Sequence, residues 1–553
     1  MKNRRKLPSR LCALLLAMAL LCSIGTPQAA AAGGSVSWSQ VDNDAVTAQL
    51  PLQEAEEAAP AYRDTDLVRV SIFLEDAPAI SKFGVQNIAE NQAAVQYRAS
   101  LETRQEAMAQ AISAQALGGK QLDVVWNLTL AANLISANVE YGEIDAIRQV
   151  PGVEQVILEP QYAPAVVDVD LPDDHNMSTS SSMIGSNAAW AAGYTGAGSR
   201  IAVIDTGTDT DHKSFDADAF AYALAEDEKA SGEAYDLLDA AEIGAVLPQL
   251  NAYKRTLQNG KPTAATPTVE QLYGTAKLPF HYNYVDGDLD VTHDNDDQGE
   301  HGSHVAGIAA ANRYLEQDGA YVDAMEEVQV AGNAPDAQLL VMKVFGKNGG
   351  AFDSDIMVAI EDAMILGADA VNLSLGSSSA GTATIEDSTY RALMERVVES
   401  GMVVVTSAGN DGYWSMYSTG GYLYSDDVNY DTVGSPGSYA SSLAVASVDN
   451  DGIIGPSLVV DGNSMGYMES LVDSYGYAFG NAAISTLDTS PDGSGTPYDF
   501  VLVDGYGAAD DYTGIDLAGK IVLCSRGGDY YYYEKANTAA ELGAAALVVY
   551  NNE

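Results

Sequence analysis

Five short apolar runs set the tightest limit on what this chain can fold into: Ile201–Ile204, Leu339–Val344, Ala370–Leu375, Val403–Thr406 and Leu443–Val448. They are rich in β-branched residues, almost free of polar interruption, and separated by helix-like sequence. A strand of this kind lacks a solvated face, so it belongs in a sheet covered on both sides. Strands joined through helices run parallel. The expectation is an α/β, doubly wound, mostly parallel sheet spanning residues 183–451. A long insertion at about 213–280, mostly helical and polar, interrupts it.

The sequence before this sheet has a different rhythm. Val68, Val70, Ile72 and Leu74 alternate as in a half-buried strand. A Gln/Ala-rich helix follows over about 87–116, then strand-like runs at Leu122–Leu130 and Leu134–Val139. A short helix, Glu143–Arg148, is stopped by Pro151-Gly152, and Val153–Leu158 closes the unit. The order βαββαβ over residues 66–162 predicts a small ferredoxin-like α+β domain. Residues 33–65 and 163–182 read as linkers, the second carrying Pro164, Pro172 and a Ser/Thr cluster. After about 452 the helix alternation is expected to stop, giving way to a β-rich, Gly/Tyr-rich segment, 452–553. The tyrosines at 413–430 and Tyr530–Tyr533 read as exposed loop residues.

The first 32 residues read as an export signal. A basic cluster, Lys2 to Lys6, precedes the apolar run Leu11–Ile24 and the small-residue stretch Gln28-Ala29-Ala30-Ala31-Ala32. The apolar run is too short to span a bilayer, and no other run reads as a membrane helix. Cys12 and Cys22 leave with the signal, so Cys524 stands alone and no internal disulfide is expected. Cys524 ends the run Lys520–Leu523 and reads as a buried core thiol. The net charge is 27 − 77 = −50. Such a surface repels phosphate backbones and anionic lipid, which argues against a nucleic-acid partner.

Three stretches carry chemistry. Arg200–Gly207 places Asp205 just past a buried strand, where ligand sites of open α/β sheets form. Alone, that acid reads better as a turn cap. His301-Gly302-Ser303-His304-Val305-Ala306-Gly307 opens a helix of small residues, so a histidine at its start can project into a cleft. The His301/His304 spacing does not make a zinc motif. Ser407-Ala408-Gly409-Asn410-Asp411-Gly412 follows the strand Met402–Thr406, and an Asn among glycines is ordinarily a turn residue.

In combination the three are far more specific. Asp at a strand end, then His on a helix, then Asn after a later strand is the chain order of the subtilisin solution to acyl transfer. Here the sequence resembles the subtilisin-like serine protease family. Gly332–Val344, Asp369–Gly376 and Gly434–Tyr439 match further family segments, so the resemblance covers roughly 183–450. A finer resemblance is to lactocepin-like cell-envelope proteinases, carried by Met183–Phe215, Lys277–Asp286 and the preceding βαββαβ unit. It implies an inhibitory propeptide at 66–162, a zymogen, and a truncated protease-associated domain at 452–553. It also implies roles: His301 as general base, Asp205 as the catalytic Asp that holds its tautomer and stabilises its imidazolium, Asn410 as oxyanion donor, and Ser374, Leu375 and Gly376 as the edge that pairs with a bound peptide. His304 is taken as structural.

The resemblance stops short of the serine. No GTSMA-like sequence follows, and the nucleophile is expected outside the 553 residues. The only mimic is Gly462-Asn463-Ser464-Met465-Gly466, where bulky Tyr467 and Met468 stand in place of the small residues a tightly packed helix needs. Ser464 is therefore a candidate by motif but not by context. The Asp-rich run Asp286–Glu300 does not have EF-hand spacing and reads as a solvated loop; calcium fits only as a structural ion, without assigned ligands. No cofactor is required. The expectation is a secreted or cell-envelope serine endopeptidase acting on proteins or peptides, with its own propeptide as intramolecular inhibitor and this stretch of chain inactive by itself. The alternative is a non-catalytic secreted peptide-binding protein on a protease scaffold.

Overall fold

The alternating run near residue 70 is β1 (Leu67–Leu74), followed by α1 (Gln92–Gln115), β2 (Asp123–Leu128), β3 (Leu134–Glu140), α2 (Ile144–Arg148) and β4 (Val153–Leu158). These strands form one sheet in the order β2-β3-β1-β4, antiparallel throughout. The computed structural model describes residues 62–85, 87–159, 161–162, 177–376, 393–409, 433–448, 457–460, 463–466 and 497–550, apart from 233, 255–256, 259–260, 263–265, 293–298, 329, 348–349 and 529. Helix α1 starts where the Asn91 side chain accepts the amides of Ala93 and Ala94, an N-cap that satisfies two otherwise orphan donors. The period of two does its work on β1: Val68, Val70, Ile72 and Leu74 pack with Ile112 of α1 and Ile144 and Ile147 of α2. Phe73, with Trp126, Leu134 and Ile157 of the neighbouring strands, joins the main core of the protein instead.

Next in the chain come β5 (Gln161–Tyr162), a helix at Met177–Met183 where a linker was expected, and β6 (Arg200–Asp205). The insertion supplies α3 (Ala217–Ser231), α4 (Ala240–Val246), α5 (Asn251–Lys254) and a ribbon of β7 (Leu257–Gln258) and β8 (Lys261–Pro262). Then follow β9 (Phe280–Asn283), α6 (His301–Ala310), a hairpin of β10 (Tyr314–Gln317) and β11 (Ala320–Asp323), β12 (Gln338–Lys343), β13 (Ala351–Phe352) and α7 (Asp353–Ile365). The series closes with β14 (Ala370–Leu373), β15 (Val403–Ser407) and β16 (Leu443–Val445).

The expected α/β sheet is present: six parallel strands in the order β16-β15-β14-β6-β12-β9. Beside β6 the winding reverses, because β12 lies on one side and β14 on the other. Crevices that hold ligands open at the carboxyl ends of strands around such a switch. Strand β6 is covered on both faces. Val203 packs with Ala306 and Ala310 of α6, and Ala202 and Ile204 pack with the α7 cluster. Strand β9, Phe-His-Tyr-Asn, is a member that no long apolar run announced.

Two sequence expectations need correction. Burial on both faces fails at the far edge, where Leu443 and Val445 of β16 are 59% and 52% exposed and Val403 of β15 is 49% exposed. An apolar run reports what a strand can bury; what covers it is a matter of neighbours. Nor does helix alternation end after 452. Besides an antiparallel ribbon of β17 (Ser457–Val460) and β18 (Asn463–Gly466), the chain forms β19 (Phe500–Leu502), β20 (Ile521–Ser525), α8 (Tyr532–Glu541) and β21 (Ala546–Tyr550). The last three make a parallel β-α-β crossover in a sheet ordered β19-β20-β21. Cys524 is fully buried there among Val503, Val522 and Ala539, and burial pushes its thiol up to about 11. Among the described residues, no helix is long and apolar enough to cross a membrane.

Candidate active site

Asp205 is the last residue of β6, in register with Lys343 at the end of β12. Its side chain is 1% exposed. His301 is the first residue of α6, and its Nδ1 lies 2.7 Å from Asp205 Oδ1. A carboxylate only accepts, so Nδ1 carries the proton and Nε2 is left free to take one. The same Oδ1 accepts the Thr206 amide at 2.7 Å. The hydrogen bond to Asp205 raises the His301 pKa above its ordinary value, and partial burial opposes this. The pair is thus a fixed tautomer with a stabilised imidazolium, the arrangement a general base requires.

Small residues make the pair possible. Gly302 brings α6 against the β6 turn so closely that a Cβ there would meet Gly207 O at 2.0 Å. Gly207 adopts φ +113°, where a side chain would also meet Val291 O at 2.2 Å. Thr206 ties the two elements together: its amide goes to Asp205, and its Oγ1 accepts the Gly302 amide at 2.9 Å. Ser303 Oγ accepts the Asp209 amide at 2.8 Å, and buried Lys343 donates its ammonium to the Thr206 carbonyl. Sequence reasoning missed Thr206, Ser303 and Lys343. The visible signal was a polar Asp-Thr-Gly turn and a lysine ending an otherwise apolar strand.

The other expected residues fall as follows. Ser374, Leu375 and Gly376 continue from β14; Leu375 is buried, and Ser374 Oγ accepts from Asn372 Nδ2 at 2.9 Å. A Cβ on Gly376 would meet Ser435 O at 2.8 Å, so this segment runs tightly beside the 435–436 turn. Asn410 lies outside the described residues. Ser464 occupies the β18 strand of the antiparallel ribbon, opposite Val459, and does not open a helix. His304 is exposed. Of the Asp-rich run, Asp286 accepts from Asn283 Nδ2, and Asp290 accepts from Thr292. Among the described residues no cluster of three or more metal-ligating side chains occurs. Strand β5 pairs antiparallel with β13, Tyr162 opposite Ala351 and Gln161 opposite Phe352.

The parallel sheet, its switch point and the Asp–His pair at its carboxyl edge can be set beside known proteins. The subtilase family profile matches residues 196–540, more than half of the chain, and the chain belongs to that family. It is similar to the PII-type proteinase of Lacticaseibacillus paracasei, 30% identical over 433 residues, which is 76% of this chain and 19% of that protein. It is also similar to the minor extracellular protease Vpr of Bacillus subtilis, at 27% identity over 70% of this chain and 36% of that one. The C5a peptidase of Streptococcus pyogenes is 29% identical over 65% of this chain and 26% of its own length. The chain thus spans about a fifth to a third of the length of these curated relatives. A solved structure of the epidermin leader peptide processing serine protease from Staphylococcus aureus matches with TM-score 0.33 and 16% identity, over 63% of this chain and 61% of that one.

Proposed function

We propose that this chain is part of an exported subtilisin-like serine endopeptidase that hydrolyses peptide bonds in proteins through an acyl-enzyme. The observation that carries the reading is the 2.7 Å contact between Asp205 Oδ1 and His301 Nδ1 at the carboxyl edge of the parallel sheet. In this reading His301 Nε2 takes the proton of the attacking serine and returns it to the leaving amine. Asp205 holds the tautomer and stabilises the imidazolium. Asn410 donates to the developing oxyanion. Ser374, Leu375 and Gly376 pair with the substrate backbone as an added strand.

The serine itself belongs to sequence not contained in these 553 residues. Ser464 is set aside because an activated serine needs a strand–turn–helix context, and β18 is one strand of a ribbon. Residues 66–162 act as an inhibitory propeptide. The pairing of β5 with β13 supports this, since a short antiparallel strand added there is how a peptide would lie. So does Glu159, buried between the two parts, which accepts from Ser71 and Ser136 hydroxyls at 2.8 Å each and from the Ser354 hydroxyl at 2.8 Å. Export rests on the leader-like first 32 residues and on a relative whose name is extracellular.

Active-site labelling tests the reading. A fluorophosphonate probe is expected to label the full-length enzyme and to leave the 553-residue chain unlabelled, because labelling needs a serine oxygen to attack phosphorus and displace fluoride. Labelling of the 553-residue chain that vanishes in Ser464→Ala would transfer the nucleophile to Ser464. A full-length protein that binds peptides but never labels would favour the non-catalytic scaffold.

A further inference from the structure

The insertion meets the leading domain at a surface that plays no part in the Asp205–His301 pair. Arg98, on α1, is buried; its Nε donates to Thr129 Oγ1 at 3.2 Å and its Nη2 to the Gln249 carbonyl at 3.2 Å. Gln249 returns a bond, its Nε2 donating to the Ala89 carbonyl at 2.8 Å. One turn further along the same face of α1, Glu102 forms an ion pair with Lys254, the last residue of α5. Leu250 and Ala252 are fully buried beneath these contacts, in one cluster with Ile88, Ala94 and Leu130 of the leading domain.

Helix α7 holds both partners. Asp362 accepts the amides of Asn251 and Ala252 at 2.6 and 2.9 Å and the Tyr284 hydroxyl at 2.9 Å. Its neighbour Glu361 accepts the amides of Leu130 and Ala131 at 3.0 and 2.7 Å through Oε1, and the Asn251 side-chain amide at 3.5 Å through Oε2. Two successive carboxylates thus fix the insertion and the leading domain side by side. The leading domain therefore rests on two surfaces, α7 beneath its sheet and the 247–254 turn against α1.

We propose that residues 240–254 of the insertion are a clasp that retains the leading domain after the segment joining it to β6 has been cut. With the chain intact, tethering keeps the two parts together by effective concentration alone. Once it is cut, residence depends on the dissociation rate, and partly buried charged contacts act chiefly on that rate. The occupant of the clasp is residues 62–162 of the same protein, recognised through Arg98 and Glu102. This rests on reading those residues as a separable leading domain. Retention and inhibition are separate readouts, so inhibition of the full-length enzyme by residues 66–162 can fail while the clasp stands, and the reverse.

The test places a specific protease site within residues 163–176 of the 553-residue chain, cuts it, and follows release of the leading piece by size-exclusion and fluorescence at increasing urea. The cut wild type is expected to stay associated. Lys254→Met and Glu102→Gln are each expected to speed release roughly tenfold. The double variant is expected to release no faster than about either single one, since both remove the same contact. Glu102→Gln reads that contact from the other partner if Lys254→Met does not fold. Release at the wild-type rate in Glu102→Gln, a double variant equal to the product of the singles, or immediate separation of the cut wild type would each overturn the proposal.

Discussion

Val203 and Val445 sit in short apolar strands of the same parallel sheet, yet one is 2% exposed and the other 52%. Around Val203 the sheet is closed by α6 on one face and α7 on the other. Around Val445 the strand is exposed at every described position. The difference teaches where chemistry can be built. A carboxylate as buried as Asp205 keeps one geometry because covered strands and a closely approaching helix leave it no other. An open edge could not hold a 2.7 Å Asp–His contact against water. The part of the sheet that carries Asp205 is finished by local packing, and the far edge presents apolar surface.

The largest effect expected is on the closed side. In the full-length enzyme His301→Ala is expected to lower kcat on the order of 10⁶-fold, the size known for loss of the same group in subtilisin. Under the oxyanion role proposed for Asn410, Asn410→Leu is expected to cost about 10²–10³-fold in kcat with little change in KM. Steady-state kinetics on folded variants check both. A rise in KM alone for Asn410→Leu would withdraw its oxyanion role.

Next come two glycines of one helix. Gly302→Ala would drive a Cβ into the Gly207 carbonyl, whereas Gly307→Ala meets nothing within 4 Å. Urea unfolding of the 553-residue chain is expected to show Gly302→Ala destabilised by about 1–3 kcal/mol. Gly307→Ala is expected to be neutral or stabilised by up to about 1 kcal/mol. Equal effects would mean that the close approach of α6 to the β6 turn is not needed. The smallest effect tests the comparison itself. Val404→Thr, at a 2% exposed site, is expected to cost about 1–3 kcal/mol. Val445→Thr is expected to stay within about 0.5 kcal/mol. A large cost at Val445 would show that the far edge is covered in solution.

Much of this was legible in the sequence because periodicity is a direct record of burial. The βαββαβ order, five strands of the central sheet and the positions of Asp205 and His301 follow from apolar runs and from what interrupts them. Strand β9 escaped because Phe-His-Tyr-Asn has no β-branched residue and lies at the end of the insertion. The β20–α8–β21 crossover was hidden by a tyrosine-rich helix start, Tyr532-Tyr533, which does not read as helix. Thr206 and Lys343 were invisible for another reason: the Thr206 hydroxyl and the Lys343 ammonium bond backbone atoms distant in the chain, and pattern carries no record of those. The clasp is of the same kind, since Arg98 and Gln249 are 151 residues apart.

The central claim is that Asp205 and His301 form a working base, and it can be tested without any nucleophile. His281 serves as the internal contrast, because burial lowers its pKa whereas the Asp205 hydrogen bond raises that of His301. Raising favours the imidazolium. The stabilisation that His301 contributes is therefore full below the unfolded value, about 6.5, and is lost as pH rises through the folded value; the neutral base appears only above it. The measurement is an NMR titration of the histidine rings in the 553-residue chain and in Asp205→Asn. The expected result is a His301 midpoint above about 6.5, a His281 midpoint below it, and a fall in the His301 midpoint on Asp205→Asn with His281 unmoved. A His301 midpoint at or below that of His281, or one indifferent to Asp205→Asn, would contradict it.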